Sequence, residues 1–379
     1  MTLNRNIFHK HLAWAAVDLD ALKHNYRELR KQTPRGVELL AVVKADAYGH
    51  GMIPVSTHLN EWGIKFFGVS NVEEGILLRK HGIRGTILLF ESTLPNFARE
   101  MVRYNLTPTV CTLELAASLN RFAKLKKRTI DVHVKVDTGM GRLGIWYEDA
   151  TAFIKTLKRF PHLSVKGLYT HFAAADTDPA FTKKQVGQFT KLLDELRRQS
   201  IRISLTHAAN SMGLVAYKHP IFNLARPGIM LYGLAPAAHL KSRLNLKPVL
   251  SVKSKIIFLK RISKGHSISY GRTFIARQNM TVATLPIGYS DGYFRSLSNK
   301  AEVLVNGRRC KVLGRVTMDQ IVIDVTKVAP VKIGTEVVVL GTQGNETIGA
   351  AELARYADTI HYEVVCNLGN RLTRIYNLR

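Results

Sequence analysis

A lysine stands directly after a short apolar run, in Ala41-Val-Val-Lys44-Ala-Asp-Ala-Tyr48-Gly-His-Gly51. An amine at the end of a buried strand is costly unless it is used, and desolvation there favours Schiff-base chemistry. Further on, Lys135-Val-Asp-Thr-Gly-Met-Gly-Arg142-Leu-Gly144 sets two cations among glycines that let backbone approach a ligand closely. His171 follows in Tyr169-Thr-His-Phe172, His207 begins His-Ala-Ala-Asn210-Ser211, and Arg226 begins Arg-Pro-Gly228-Ile229. Ser211 opens a short helical stretch, where a hydroxyl and free amides suit an anion. Taken singly, each of these has an ordinary structural role: a salt bridge, a cap, a turn or a satisfied core histidine. Taken together, a lysine, arginines, a histidine and a phosphate cradle suit a phosphorylated aldehyde held as an imine.

Something must bring them to one place. Eight β-branched runs, at 39–43, 66–70, 86–90, 107–111, 131–136, 165–170, 203–206 and 222–225, alternate with helix-like stretches such as 72–81, 113–126, 148–159, 182–198 and 212–217. Phe189, Leu192, Leu193 and Leu196 follow the helical i, i+3, i+4, i+7 spacing. Eight strands, each followed by a crossover, predict an α/β fold with an N-terminal (β/α)8 TIM-like barrel. The chemical residues then all fall at the C-terminal ends of strands, where barrel active sites lie. Near Leu246 the texture changes to strands without long helices, at 251–259, 280–285, 302–305, 310–313, 321–325 and 336–340, with Asn306-Gly307 as a hairpin turn and a helix at 350–357. A further amphipathic helix is expected at 21–31, before the first barrel strand. The predicted domains are a barrel over 1–245 and a mostly-β domain over 246–379.

Composition narrows the function classes. The chain has 379 residues, 46% of them hydrophobic, enough for more than one core. The three cysteines, Cys111, Cys310 and Cys366, are scattered, so neither a disulfide framework nor a cysteine metal site is expected, and the histidines form no compact ligand pattern. No apolar run approaches the ~20 residues of a membrane helix. The opening Met1-Thr-Leu-Asn-Arg-Asn-Ile-Phe8 lacks the apolar core of a signal peptide, and a cytoplasmic location is expected. The net charge of +27 points to polyanions. Yet the basic residues sit in helix-like stretches without interleaved aromatics, and a solvated surface accounts for them better than nucleic-acid binding.

The motifs resemble the alanine racemase family across essentially the whole chain. They are the Lys44 segment above, Val136-Asp-Thr-Gly-Met-Gly-Arg-Leu-Gly144, Thr170-His-Phe-Ala173, His207-Ala-Ala-Asn-Ser211, Ser269-Tyr270-Gly271 and Gly314-Arg-Val-Thr-Met318-Asp319-Gln320, in the expected order. The resemblance implies pyridoxal 5′-phosphate as cofactor, held by Lys44, and interconversion of L- and D-alanine for peptidoglycan. Lys44 and Tyr270 would be the two acid/base groups on opposite faces of the substrate carbanion, with Tyr270 supplied by the partner subunit of a homodimer. His171, linked to Arg226, would tune that tyrosine. Arg226 would face the cofactor's ring nitrogen and, keeping its own proton, leave that nitrogen unprotonated. Arg142 would meet the phenolic oxygen and the substrate carboxylate. Tyr48, Ser211, Gly228 and Ile229 would hold the phosphate, and Met318 and Asp319 would line the substrate site. Lys135 matches a position carbamylated in some members.

Two departures stand out. Thr317 replaces a common cysteine. Asn370, in Cys366-Asn-Leu-Gly-Asn-Arg371-Leu-Thr-Arg374, occupies the place of a tyrosine that contacts phosphate and narrows the pocket. Asparagine there resembles the serine racemase branch, so serine is expected as an alternative substrate. A fold-related decarboxylase would need a glycine-rich phosphate loop and a Glu-Pro-Gly-Arg stretch, neither of which is found. A non-catalytic cofactor carrier would not need the domain bearing Tyr270 and Met318.

Overall fold

The computed structural model describes residues 11–240, 244–328 and 330–377, and the expectation about the first eight residues lies outside them. The chain divides into two units. One comprises Lys23–Ala47 and Met52–Lys247; the other comprises the described residues up to Leu22, with Tyr48–Gly51 and Pro248–Arg379.

In the first unit, eight runs form parallel strands: Glu38–Val42, Phe66–Val69, Thr86–Ser92, Thr107–Val110, Ile130–Asp137, Leu163–Tyr169, Leu205–His207 and Leu224–Ala225. The first seven pair in succession. The eighth returns to the first through Leu224↔Glu38 and Ala225↔Leu39. Between the seventh and eighth, Asn223 N–H donates to the Thr206 carbonyl (3.0 Å) and Arg226 N–H to that of Ala209 (2.8 Å), so the ring nearly closes. This is the expected (β/α)8 barrel.

The crossover helices form where caps and apolar stripes coincide. Thr112 Oγ1 accepts the Leu115 N–H at the start of Leu113–Leu125, whose Leu115, Ala116, Leu119 and Ala123 are buried. Asp178 caps Pro179–Arg198, which has proline in its first turn and arginines in its last. Met52–Glu61 and Ala98–Arg103 escape the periodicity reading. The former carries Pro54 in its first turn, and the latter is too short to show a period.

Ile130–Asp137 alternates in a way that matters for function. Val132, Val134 and Val136 occupy one face, His133, Lys135 and Asp137 the other, and all six are buried. From the second face His133 bonds His207, and Thr109 bonds Tyr169, each pair spanning the strand between them, so the barrel interior is partly polar rather than the usual layers of Val, Ile and Leu.

The other unit is built on a ten-stranded sheet. Met280–Leu285, Ile321–Asp324, Arg308–Leu313 and Glu302–Val305 run through it as antiparallel neighbours, and Val305↔Arg308 closes a hairpin over Asn306 (φ 48°) and Gly307 (φ 72°), a type I′ turn. The expected strand over 251–259 is two strands, Leu250–Lys255 and Phe258–Ile262, because Ile256 and Ile257 turn their amides to Thr335 and Thr284 and the chain changes partners. Ala13–Asp18 also belongs here, antiparallel to Leu250–Lys255 and parallel to Thr373–Asn377, so the β unit takes its edge from both ends of the described chain. A division at residue 245 misses that early strand, since pairing between distant segments leaves no local signal.

Candidate active site

Lys44 stands two residues beyond the end of the first barrel strand and is half-buried. The next four residues, Ala45, Asp46, Ala47 and Tyr48, all have positive φ, at 52°, 51°, 54° and 55°. They make a turn of left-handed helix, which costs roughly 1–2 kcal/mol per residue. Such strain persists only where neighbours over-determine it. Here Ala47 N–H donates to the Val43 carbonyl (2.9 Å), Asp46 Oδ1 accepts the Met52 N–H (2.7 Å) and Glu74 Oε1 accepts the Ala45 N–H (2.7 Å).

Arg226 is fully inside the barrel, 4% exposed, and its partners fix the protonation of three histidines. Guanidinium only donates. Its Nη1 donates to His207 Nδ1 (2.7 Å), and its Nη2 to His171 Nδ1 (3.2 Å) and to the Thr170 and Ala208 carbonyls (2.9 Å each). His207 therefore carries its proton on Nε2, which donates to His133 Nδ1 at 2.9 Å, and His133 carries its own on Nε2. His171 likewise keeps its proton on Nε2. Burial, reinforced by Arg226, depresses all three, His133 to about 3. Burial lowers Arg226 to about 10, leaving it charged at neutral pH. Tyr169 stacks on His207, 4.7 Å between centroids and 3° between planes, and its ring lies 5.3 Å from the guanidinium carbon. Thr109 Oγ1 shares a hydrogen bond with the Tyr169 hydroxyl.

Lys135 is buried beside this cluster, its Nζ 5.8 Å from the Tyr169 centroid. Burial, then Arg142 and Arg226, bring its amine down to about 8. The loop beyond it is shaped by Asp137, whose carboxylate accepts the N–H groups of Gly139, Met140 and Gly141 at 2.7–2.9 Å. That nest presents the exposed Arg142, whose charge also depresses His171. Gln185, from Pro179–Arg198, binds two loops together: Nε2 donates to Thr138 Oγ1 (3.1 Å) and the His171 carbonyl (3.0 Å), and Oε1 accepts the Ala173 N–H (3.0 Å).

After the seventh strand, Asn210 caps Ser211–Ala216 by accepting the Gly213 N–H (2.9 Å), and buried Ser211 accepts the Gly228 N–H through Oγ (3.0 Å). The first amides of that helix have no intrahelical acceptor. Gly228 and Ile229 are buried, and the Gly228 amide meets the Ser211 hydroxyl, the donor types that bind a phosphate. Lys44, Lys135, Arg142, His171, Ser211, Arg226, Gly228 and Ile229 thus all belong to the barrel unit.

The remaining predicted residues belong to the β unit. Tyr270 is 73% exposed on a turn with Ser269 at φ 65°, Gly271 at φ 68° and Arg272 at φ 49°. Met318 is 53% exposed, its carbonyl held by the Ser290 amide (3.1 Å) and hydroxyl (2.9 Å). Asp319 pairs with Arg371 (2.7 Å), which also reaches the buried Asp291 (3.4 Å). Asn370 is exposed next to Arg371. Tyr48 lies with its ring 6.3 Å from that of Tyr362, and burial raises its phenol. Gly288 admits no side chain, since a Cβ would lie 2.3 Å from the Thr317 carbonyl oxygen.

Sequence reading passed over His133, Tyr169, Gln185, Glu74 and Asp291. Two of these had a signal: His133 on the polar side of an alternating strand, and Gln185 on the otherwise mainly apolar stripe of Pro179–Arg198. The others act through contacts distant in sequence.

The comparisons with known proteins agree along the chain. Residues 17–236 match the family described as alanine racemase, N-terminal domain, and residues 249–376 match alanine racemase, C-terminal domain. The chain belongs to the alanine racemase family. It is 43% identical to the alanine racemase of Halothermothrix orenii over 364 residues, 96% of each chain, and 41% identical to that of Carboxydothermus hydrogenoformans, over 96% of this chain and 99% of that one. The solved alanine racemase of Clostridium difficile superposes with a TM-score of 0.92 at 34% identity, covering 97% of this chain and 96% of the other. That of Bartonella henselae, solved with covalently bound pyridoxal phosphate, superposes at 0.87 with 29% identity, covering 97% of this chain and 100% of that chain. These relatives are named for alanine, so the serine activity expected from Asn370 gains no support.

The barrel's donor set fits pyridoxal phosphate. An amine at the mouth, a donor-only cation with its charge held, and a hydroxyl-and-amide cradle at Ser211 and Gly228 match an aldehyde, a ring nitrogen that must accept, and a phosphate.

Proposed function

We propose that this chain is an isomerase that interconverts L- and D-alanine with pyridoxal phosphate, acting as a homodimer in the cytoplasm and supplying D-alanine for peptidoglycan. The observation that carries the reading is Arg226, buried, charged and locked by histidines whose nitrogens accept from it. A cofactor that needs its ring nitrogen unprotonated calls for such a neighbour.

When bound, the cofactor supplies an electron-withdrawing system that acidifies the Cα–H of an attached amino acid. The chain's residues do the rest. Lys44 Nζ takes or returns the α-proton on one face, and Tyr270 Oη from a second copy of the chain does so on the other, which inverts the centre. Arg226 donates to the ring nitrogen and is held in place by His207, His171 and two carbonyls. His171, neutral with its proton on Nε2, offers a donor to the hydroxyl oxygen of Tyr270. Tyr48, Ser211, Gly228 and Ile229 bind the phosphate. Arg142 and the Met318 amide, with Asp319 beside it, orient the substrate carboxylate. Lys135, whose lowered pKa leaves a fraction of its amine unprotonated near neutral pH, captures carbon dioxide as a carbamate that steadies Arg142. The exposure of Tyr270 and Met318 supports the second copy, since catalytic groups need shelter from water.

Chiral chromatography of L-alanine and, separately, L-serine incubated with the purified protein and pyridoxal phosphate tests the reading. D-alanine should form far faster than D-serine, and Lys44→Ala should abolish it. Cofactor-loaded protein that makes neither would overturn it.

A further inference from the structure

We propose that Glu74 is a positioning residue for Lys44, clamping the left-handed turn on which that lysine stands. The inference deepens the reading of Lys44 as the cofactor-holding residue and rests on it.

Glu74 lies in the first turn of Val72–Lys80. Its Oε1 accepts the Ala45 N–H and its Oε2 accepts the Ser70 N–H, both at 2.7 Å. One carboxylate thus joins the ends of the first and second barrel strands, at the residue after Lys44. The tie extends to the third strand, where Ser70 Oγ donates to Glu91 Oε1 (2.6 Å) and Glu91 N–H donates to the Ser70 carbonyl (3.1 Å).

Capping does not explain this arrangement. In a capping box the third-position glutamate reaches back to the N-cap's own amide. Here the N-cap is Asn71, whose side chain already accepts the Glu74 N–H (2.9 Å), and the glutamate reaches past it to Ser70 and across to Ala45. Helix start and lysine turn are therefore served by separate side chains. The turn needs such a tie, because four consecutive residues at positive φ would otherwise relax toward the right-handed region and carry Lys44 with them. A misplacement of about 1 Å at a reacting group can cost on the order of a hundredfold in rate.

The test uses the cofactor-loaded enzyme as wild type, Glu74→Met, Glu74→Gln and the control Glu73→Met, whose residue is exposed on the same turn. Methionine keeps the stem and helix propensity but removes both acceptors. Glu74→Met should lower kcat by tenfold or more, with KM for alanine changed less than about twofold. Hydrogen exchange should accelerate in the peptides covering 44–52 and 68–74, and Glu74→Gln should recover part of both effects. Glu73→Met should match wild type. Should Glu74→Met fail to fold, Glu74→Gln decides: an amide side chain retains one acceptor, so either Ala45 or Ser70 must lose protection, and unchanged exchange at both overturns the proposal. Equal kcat and exchange in Glu74→Met and Glu73→Met overturn it as well. Hydride reduction followed by peptide mass analysis keeps the two readings apart. If wild-type Lys44 is not labelled with the reduced cofactor, the assignment of Lys44 fails, whereas a labelled Lys44 that ignores Glu74 removes only the clamp.

Discussion

Arg226 and its histidines show how one buried charge sets the state of several neighbours. An arginine without a carboxylate partner is expensive inside a protein, and here carbonyls and imidazole nitrogens satisfy it instead. The cost appears as histidines that cannot take a proton while folded. Once unfolded, each binds a proton as pH falls through ~6.5. The unfolded state therefore takes up more protons, and stability, fully present above that pH, is lost below it. Each such histidine contributes about 1.4 kcal/mol per pH unit, so His133, His171 and His207 together set a slope approaching 4 kcal/mol. Urea midpoints measured from pH 8 to pH 5 should stay level to about 6.5 and then drop; a flat profile down to pH 5 would contradict neutral burial.

At the scale of elements, two glycines of the barrel unit predict opposite outcomes. Gly167, in Leu163–Tyr169, faces the His133 ring, and a Cβ there would come within 2.3 Å of Nδ1, the atom that accepts from His207. Gly167→Ala should cost about 1–3 kcal/mol by overpacking and should disturb the histidine chain. Gly187, on Pro179–Arg198, has open space where its Cβ would go. Gly187→Ala should stabilise by about 0.5–1 kcal/mol through helix propensity alone. Chemical denaturation of both variants checks the pair, and similar signs would refute the crowding argument. The elements themselves were largely legible. Strands such as Met280–Leu285 and Glu302–Val305 stand where β-branched runs predict them, and Ala350–Ala357 where its amphipathic pattern does. The early strand Ala13–Asp18 was not, because its partners lie over 230 residues away.

For the whole molecule, the proposed sharing of Lys44 and Tyr270 between copies has an arithmetic consequence. A Lys44→Ala variant and a Tyr270→Phe variant should each be inactive. Mixed under conditions that exchange subunits, half the dimers become hybrids, each with one intact and one doubly altered site. About a quarter of wild-type activity should return. No return despite demonstrated exchange would mean that each copy completes its own site.

The sequence by itself determined the barrel, the β-rich second half and the residues able to do chemistry, because strand and helix periods, turn dipeptides and strand-end residue types are local properties. It also carried the family through ordered motifs spread over both halves. Only the tertiary structure decided which nitrogen of each histidine bears the proton, why Lys44 stands on a left-handed turn, and that Glu74, Gln185 and Asp291 hold other residues in place. Those outcomes depend on hydrogen bonds between segments far apart in the chain, and on burial that no single stretch of sequence encodes.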